Sequence, residues 1–293
     1  MNELDPYLKR ILEILPDLTV ERASLKREGI FNDVVIVNDA FVFRFAKRDY
    51  GFKDLNEEAA SLRLLRKHVS LPIPEPFYED QEVLAYPLIP GETLRRDLLT
   101  SLPESDQQAI AEQLAQFFKQ MHGIPLDEIA ESSIPEANAL MEYEDWADIY
   151  QRLQDKVFPL LLPHVRQWAT EHFESWMSDP ANFEYEPRMV DTDIPPYHIL
   201  FDQRQRRING IIDFSCAGLG DPALDFSVII YHYGESFVNR FYNIYPETEA
   251  YLRRARFYAG ATEMCWLLNG IEQNDPTWFA IHVGGASDLR HNR

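Results

Sequence analysis

An α+β fold in two unequal parts is expected: a small antiparallel-sheet lobe with one helix, followed by a larger and mostly helical lobe. Three stretches point to it. Residues 34–45 are rich in β-branched and aromatic side chains about a turn signal, and residues 105–121 repeat apolar side chains at the helical period. Residues 191–214, DTDIPPYHILFDQRQRRINGIIDF, fold back as strand, turn and strand. At 293 residues and 45% hydrophobic composition the chain can bury a large core, so one or two lobes are expected rather than several domains.

Lys and Arg number 28 against 48 Asp and Glu, a formal charge of −20. That field repels nucleic acid and anionic lipid and favours a cationic partner, although solubility alone also explains it. The opening MNELDPYLKR lacks the pattern of a secretory signal, and no apolar run approaches a membrane span. A cytoplasmic monomer without membrane contact is expected. Cys216 and Cys265 make neither a disulfide framework nor a paired metal spacing, and are expected as small buried residues.

Along the first lobe, Glu28-Gly29 precedes a strand at Val34–Val37, Asn38-Asp39 signals a turn, and Phe41–Phe45 is the returning strand. Gly29 would let a backbone approach nucleotide phosphates, as in the loops that cover them in kinases, and a plain turn is the simpler reason for it. Arg44 interrupts the apolar second strand, and Lys47 follows. In the next helix, about Asp54 to Val69, Leu55, Leu62, Leu65 and Val69 share a face with Glu58 in its middle. A carboxylate there needs a cation, so Glu58 is paired with Arg44, or in second place Lys47, unless it snorkels to solvent. After the Pro-rich residues 71–76 comes a strand at Val83–Tyr86. The linker Pro87–Thr93 then divides an N-terminal nucleotide-binding lobe, residues 1–88, from a C-terminal lobe, residues 94–293, with a ligand cleft between them.

In the second lobe Ser105 is the expected N-cap of a core helix carrying Ile110, Leu114, Phe117, Phe118 and Met121, and Gly123 ends it. Trp146, Tyr150, Trp168 and Trp176 are expected to pack, in helices broken by Pro159 and Pro163. The hairpin 199–212 brings the loop holding Asp193 and His198 to the end of its second strand, at Asp213. Two carboxylates and an imidazole can converge there on a metal ion, the set that phosphoryl transfer requires. Gly218–Ala223 imitates a dinucleotide fingerprint but lacks the βαβ setting and contains Pro222, so a loop leaving the site is expected. Asp225 opens an apolar helix as a cap, or braces the catalytic loop as a buried carboxylate. Further helices run to about His282, and Ser287–Arg293 is expected as a loose tail.

In their order, EGIFNDVVIV, FVFRFAK, EEAASLRLL, LPIPEP, QLAQFFKQMHGI, DTDIPPYHILFD, IIDF and GDPALDF resemble the aminoglycoside phosphotransferases and the related macrolide phosphotransferases. These are small-molecule kinases with a protein-kinase-like bilobal fold. HILFD and IIDF look most like the enzymes that act on the 2''-hydroxyl of aminoglycosides. The resemblance implies that Asp193 is the catalytic carboxylate, and that His198, where many relatives have Asn, and Asp213 are the Mg²⁺ ligands. It makes Arg44 the phosphate-contacting cation and Glu58 its helix carboxylate. Trp266, ahead of Asn269-Gly270, matches a substrate-lining aromatic, and Gly29, Lys47 and Ile89 complete the expected nucleotide contacts. Histidine is a borderline ligand for Mg²⁺ and can instead hold a metal-bound water.

One departure stands out. Asp191 lies where the family has His; an ionised Asp only accepts hydrogen bonds and adds charge beside Asp193. Asp191 is also a candidate substrate contact. The implied activity is transfer of phosphate from ATP or GTP to a hydroxyl of a cationic small molecule, an aminoglycoside first. A macrolide or a metabolite alcohol such as choline, homoserine or a sugar comes second, and Asp191 motivates a third reading, a non-catalytic nucleotide-binding module.

Overall fold

The computed structural model describes residues 3–27, 32–47, 55–132, 134–137, 139 and 142–274. Gly29, Asp54 and the expected tail at residues 287–293 lie outside them.

Five strands, β1 (Ala23–Lys26), β2 (Asn32–Val37), β3 (Phe41–Ala46), β4 (Tyr78–Glu79) and β5 (Val83–Pro87), form an antiparallel sheet in the order β1-β2-β3-β5-β4. Asn38 and Asp39, at φ 55° and 48°, make the turn that pairs Val37 with Phe41. Residues 38–40 join the two paired positions, and Asn38 and Asp39 tolerate the left-handed conformation they take there. The sequence pattern calls for one helix in this region, and the structure has two. Helix α1 (Asp5–Ile14) places Pro6 in its first turn and packs the fully buried Ile11 on one face of the sheet, against Val35, Val37, Phe43, Val83 and Ala85. Its signal is present in Tyr7, Leu8 and Ile11, which share one helical face. On the opposite face α2 (Leu55–Leu65) buries Leu55, Ala59 and Leu62 with Val42, Leu84 and Tyr86. That second core is continuous with the helical part of the molecule through Leu94, Phe117, Phe201 and Phe214.

The linker does more than connect. Its last two residues are strand β6 (Glu92–Thr93), which pairs with β8 (Ile199–Asp202), and β8 pairs with β9 (Arg207–Ile211). Gly210 of β9 is where the linker and the Pro-rich segment close on the hairpin. A Cβ there would lie 2.8 Å from Ile89 and 2.9 Å from the Pro72 carbonyl.

After the short α3 (Arg96–Ser101), helix α4 (Glu104–His122) starts behind Pro103, two residues earlier than a Ser105 cap requires, so Ser105 sits in its first turn. The five expected apolar residues are buried and Gly123 ends the helix. Helices α5 (Leu126–Glu131), α6 (Tyr143–Lys156) and α7 (Pro163–Met177) follow. Trp146, Tyr150 and Trp176 are buried, whereas Trp168 is 43% exposed and does not join the core as expected. Residues 217–220 are not a loop but β10 (Ala217–Gly220), paired antiparallel with β7 (Arg188–Asp191). Gly218 permits this because a Cβ there would fall 2.5 Å from the Ala137 nitrogen. Helices α8 (Ala223–Tyr233), α9 (Glu235–Val238) and α10 (Thr248–Glu272) complete the described chain. Cys216 and Cys265 are half-buried rather than fully buried. No described helix is long and apolar enough to cross a membrane.

Candidate active site

Alternation along β3 decides which cation meets Glu58. Val42, Arg44 and Ala46 share the face toward α2, whereas Phe43, Phe45 and, three residues beyond Arg44, Lys47 share the other. Arg44 Nη1 accordingly donates to Glu58 Oε1, and its Nη2 donates to Asp213 Oδ1 at 2.7 Å. Arg44 and Glu58 are buried at 3% and 4% exposure, and Phe214 N–H donates to Glu58 at 3.2 Å. Burial works against charge on Arg44, but Asp213 and Glu58 outweigh it and hold the guanidinium ionised. Lys47 is spent elsewhere. Its Nζ lies 3.4 Å from Asp33 and donates to the Arg27 carbonyl at 2.9 Å, and Tyr7 OH donates to the same Asp33 at 2.6 Å.

Beyond β9 the chain enters the left-handed region at Asp213, φ 65°, a conformation uncommon outside Gly but accessible to Asp. Burial would raise the Asp213 carboxyl, but Arg44 first, then His198 and Ser215, hold it below the usual carboxylate range. With its side chain 32% exposed, Asp213 is open to solvent. His198 ends a 3₁₀ turn, Pro196–His198. Its Nδ1 is 2.9 Å from the Asp193 carbonyl, which can only accept, so Nδ1 carries the proton. The other nitrogen, Nε2, lies 3.6 Å from Asp213 Oδ2. Asp193 is thus tied to His198 through its main chain.

The donor set is a test of the expected metal. Among the described residues no group of three or more His, Cys, Asp or Glu side chains could hold an ion. The side chains of Asp193, His198 and Asp213 therefore do not close on one point as expected, and His198 and Asp213 are the two that stand side by side. One carboxylate with a neighbouring acceptor fits Mg²⁺, which keeps waters and shares itself with nucleotide phosphates instead of filling a protein cage.

A second polar row lies behind the loop. Asp191, fully buried at the end of β7, donates its N–H to Asp225 Oδ1 at 3.1 Å and accepts the Asp193 N–H on Oδ1 at 3.2 Å. Its burial removes it from any substrate-facing surface. Asp225 is not a cap, since Pro222 holds that position at the start of α8. Its Oδ2 is 2.8 Å from His122 Nε2, and His122 Nδ1 is 3.1 Å from Tyr245 OH. Burial lowers His122 to about 3 and raises Asp225 well above the usual carboxylate range, so burial works against charge on both partners.

Sequence reasoning assigns no role to His122 or Tyr245, although an imidazole four residues after Phe118 on a buried face has to find a partner. It also passes over His232 in α8. Burial, and then His198 beside it, lower that imidazole to about 4. Ile89 packs over Gly210, and Trp266 is half-buried in α10. Two surface cavities, of about 380 Å³ beside Tyr143 and Tyr185 and about 340 Å³ beside Pro90 and Asn209, contain none of Asp193, His198 or Asp213.

Comparison with known proteins bears on the family and the fold. The family model described as "Phosphotransferase enzyme family" matches residues 25–258. Viomycin phosphotransferase of Streptomyces vinaceus is 26% identical over 250 residues, 82% of this chain and 83% of that protein. The uncharacterized protein YcbJ of Bacillus subtilis (strain 168) is 24% identical over 244 residues, 78% and 76% of the two chains. The GDP complex of wild-type aminoglycoside 2'-phosphotransferase-IIIa superimposes with a TM-score of 0.86 at 26% identity, covering 99% of each chain. The GDP and kanamycin complex of APH(2'')-IIIa gives 0.84 at 26% identity, covering 99% of this chain and all of the other. Macrolide 2'-phosphotransferase type I, 19% identical with a TM-score of 0.71, shares the fold. With this kinase-like fold and a family match over most of its length, the chain is a phosphotransferase and belongs to the phosphotransferase enzyme family.

Proposed function

We propose that this protein transfers the terminal phosphoryl group of ATP or GTP to a hydroxyl of a cationic small molecule, with an aminoglycoside as the leading acceptor. The observation that carries the reading is the continuous line from Arg44 and Glu58 through Asp213 to His198 and the Asp193 loop. Phosphoryl transfer needs a fixed cation, a metal-binding carboxylate and a carboxylate for the acceptor alcohol, brought together with little other chemistry. In this reading Asp193 orients the acceptor hydroxyl and takes its proton. Asp213 and His198 would hold Mg²⁺ jointly with the nucleotide, and the metal would supply neutralisation of phosphate charge. Arg44, kept in place by Glu58, steadies Asp213 and sets a positive charge behind it.

Residues up to about 88 form the nucleotide side of the site and residues from about 94 the acceptor side, with Pro87–Thr93 as the seam. Support for a cationic acceptor comes from the formal charge of −20, from the kanamycin bound in one neighbour and from the viomycin phosphotransferase relative.

The test is a transfer assay over aminoglycosides, a macrolide, choline, homoserine and neutral sugars, each with ATP and with GTP. Phosphorylation of the polyamine acceptors, with KM rising as salt is added, is the expected result. Turnover confined to neutral alcohols would remove the antibiotic reading and leave a metabolite kinase.

A further inference from the structure

The row behind the catalytic loop contains an oxygen that the proposed chemistry does not use. Asp191 Oδ1 accepts the Asp193 N–H, while Asp191 Oδ2 is buried with no hydrogen-bond partner among the described residues. Around Asp191 stand Asp225 from α8, Asp193 in its own loop and Asp213 beyond β9. Asp225 in turn faces His122 from α4 and Asp221 ahead of α8, and Arg188 at the far end of β7 faces His122. Among the described residues neither Asp191 nor Asp225 has an ion pair with an arginine or lysine, and Asp225 meets the Asp191 N–H and the imidazole of His122.

A carboxylate ion with one oxygen unmet, surrounded by three other carboxyl groups and out of reach of water, is strongly disfavoured. A neutral acid in the same place loses only a hydrogen bond. Ionised, it would also set a second negative charge against Asp193 and Asp225 and push the loop apart.

We propose that Asp191 is a positioning residue that stays a neutral carboxylic acid during turnover, fixing Asp193 through its main-chain N–H without adding charge beside the Asp193 carboxylate. The inference rests on Asp193 being the residue that orients the acceptor. Burial, and then the charges of Asp225 and Asp193, raise the Asp191 carboxyl well above its ordinary range, in the direction this role requires.

The test has two independent arms on the full chain. Infrared spectra at neutral pH should show the carbonyl band of a protonated carboxyl group that is lost in Asp191→Asn and kept in Asp193→Asn. Absence of that band overturns the proposal whether or not any acceptor is phosphorylated, so a failure of the proposed function is read separately. In the kinetic arm Asp191→Asn should keep kcat at neutral pH within about threefold and move the alkaline limb of its pH profile up by about one unit or more. Asp191→Ala should lower kcat about tenfold or more with the nucleotide KM changed by less than about threefold. An asparagine chain with the wild-type alkaline limb, or one as impaired as the alanine chain, would overturn the positioning role. Should the alanine chain not fold, the asparagine profile and the infrared band decide.

Discussion

Two buried polar networks meet near the Asp193 loop, and they solve the same problem differently. In front, Arg44 is shared between Glu58 and Asp213, a cation between two carboxylates. Behind, Asp191, Asp225, His122 and Tyr245 form a row with no arginine or lysine paired to its carboxyls among the described residues. The front network balances charge with charge and keeps Asp213 ionised. In the rear, burial works against charge and favours the protonated carboxyls. The division matches the proposed work: metal and phosphate need a fixed anion and a fixed cation, whereas the support of Asp193 needs fixed geometry without stray charge.

The comparison breaks most visibly at Arg44. Arg44→Met leaves Glu58 buried without its counter-ion and should destabilise the protein by roughly 3–5 kcal/mol, read as a lowered urea midpoint. A loss below about 1 kcal/mol would mean the front network is not held by opposite charges. Smaller is the strain expected from Gly210→Ala, where the new methyl meets Ile89 and the Pro72 carbonyl. A loss of about 1–3 kcal/mol with weaker nucleotide binding is predicted. An unchanged Tm would show that the linker yields freely.

At the rear, Asp225→Asn keeps the shape and the acceptor for the Asp191 N–H but removes a titrating group. A carboxyl whose folded pKa is raised binds an extra proton in the folded state. Its contribution is complete below the unfolded value, near 4, and is lost as pH rises toward the folded value. Wild-type stability should therefore fall more steeply with rising pH than that of Asp225→Asn, so the variant gains relative to wild type in alkaline solution. Parallel curves from pH 5 to 9 would contradict protonation of the row. Smallest of all is Lys47→Met. Because Lys47 faces Asp33 and Tyr7 on the α1 side, nucleotide affinity should change by less than about twofold, well under a kcal/mol. A tenfold loss would return Lys47 to the phosphate site.

What the sequence discloses follows the range of each signal. Glu58 announces its pairing because a carboxylate inside an apolar helical stripe has to be met. Arg44 announces itself as a cation inside a strand. The hairpin carries His198 to Asp213 because two short strands and a polar turn leave little freedom of register. Lys47 is the instructive contrast: composition places a cation near the site, and only strand alternation shows that it faces away. The rear row is illegible for another reason. His122 and Asp225 are 103 residues apart and Tyr245 lies 123 residues beyond His122, so no local spacing links them. Helix α1 was within reach of its own periodicity, but Pro6 makes the start look like a break unless it is read as a first-turn proline. The strand at residues 217–220 hides because glycine is a poor strand former, chosen here for close approach to Ala137.

The central claim is that the Asp193 carboxylate acts on the acceptor hydroxyl at the end of the Arg44, Glu58 and Asp213 line. Single-turnover transfer of the terminal phosphate of labelled nucleotide to an aminoglycoside measures it directly, in wild type and in Asp193→Asn at equal nucleotide occupancy. A fall of about a thousandfold in the transfer rate, with nucleotide affinity within about threefold, is predicted. Transfer by Asp193→Asn within tenfold of wild type would place the chemistry elsewhere in the molecule.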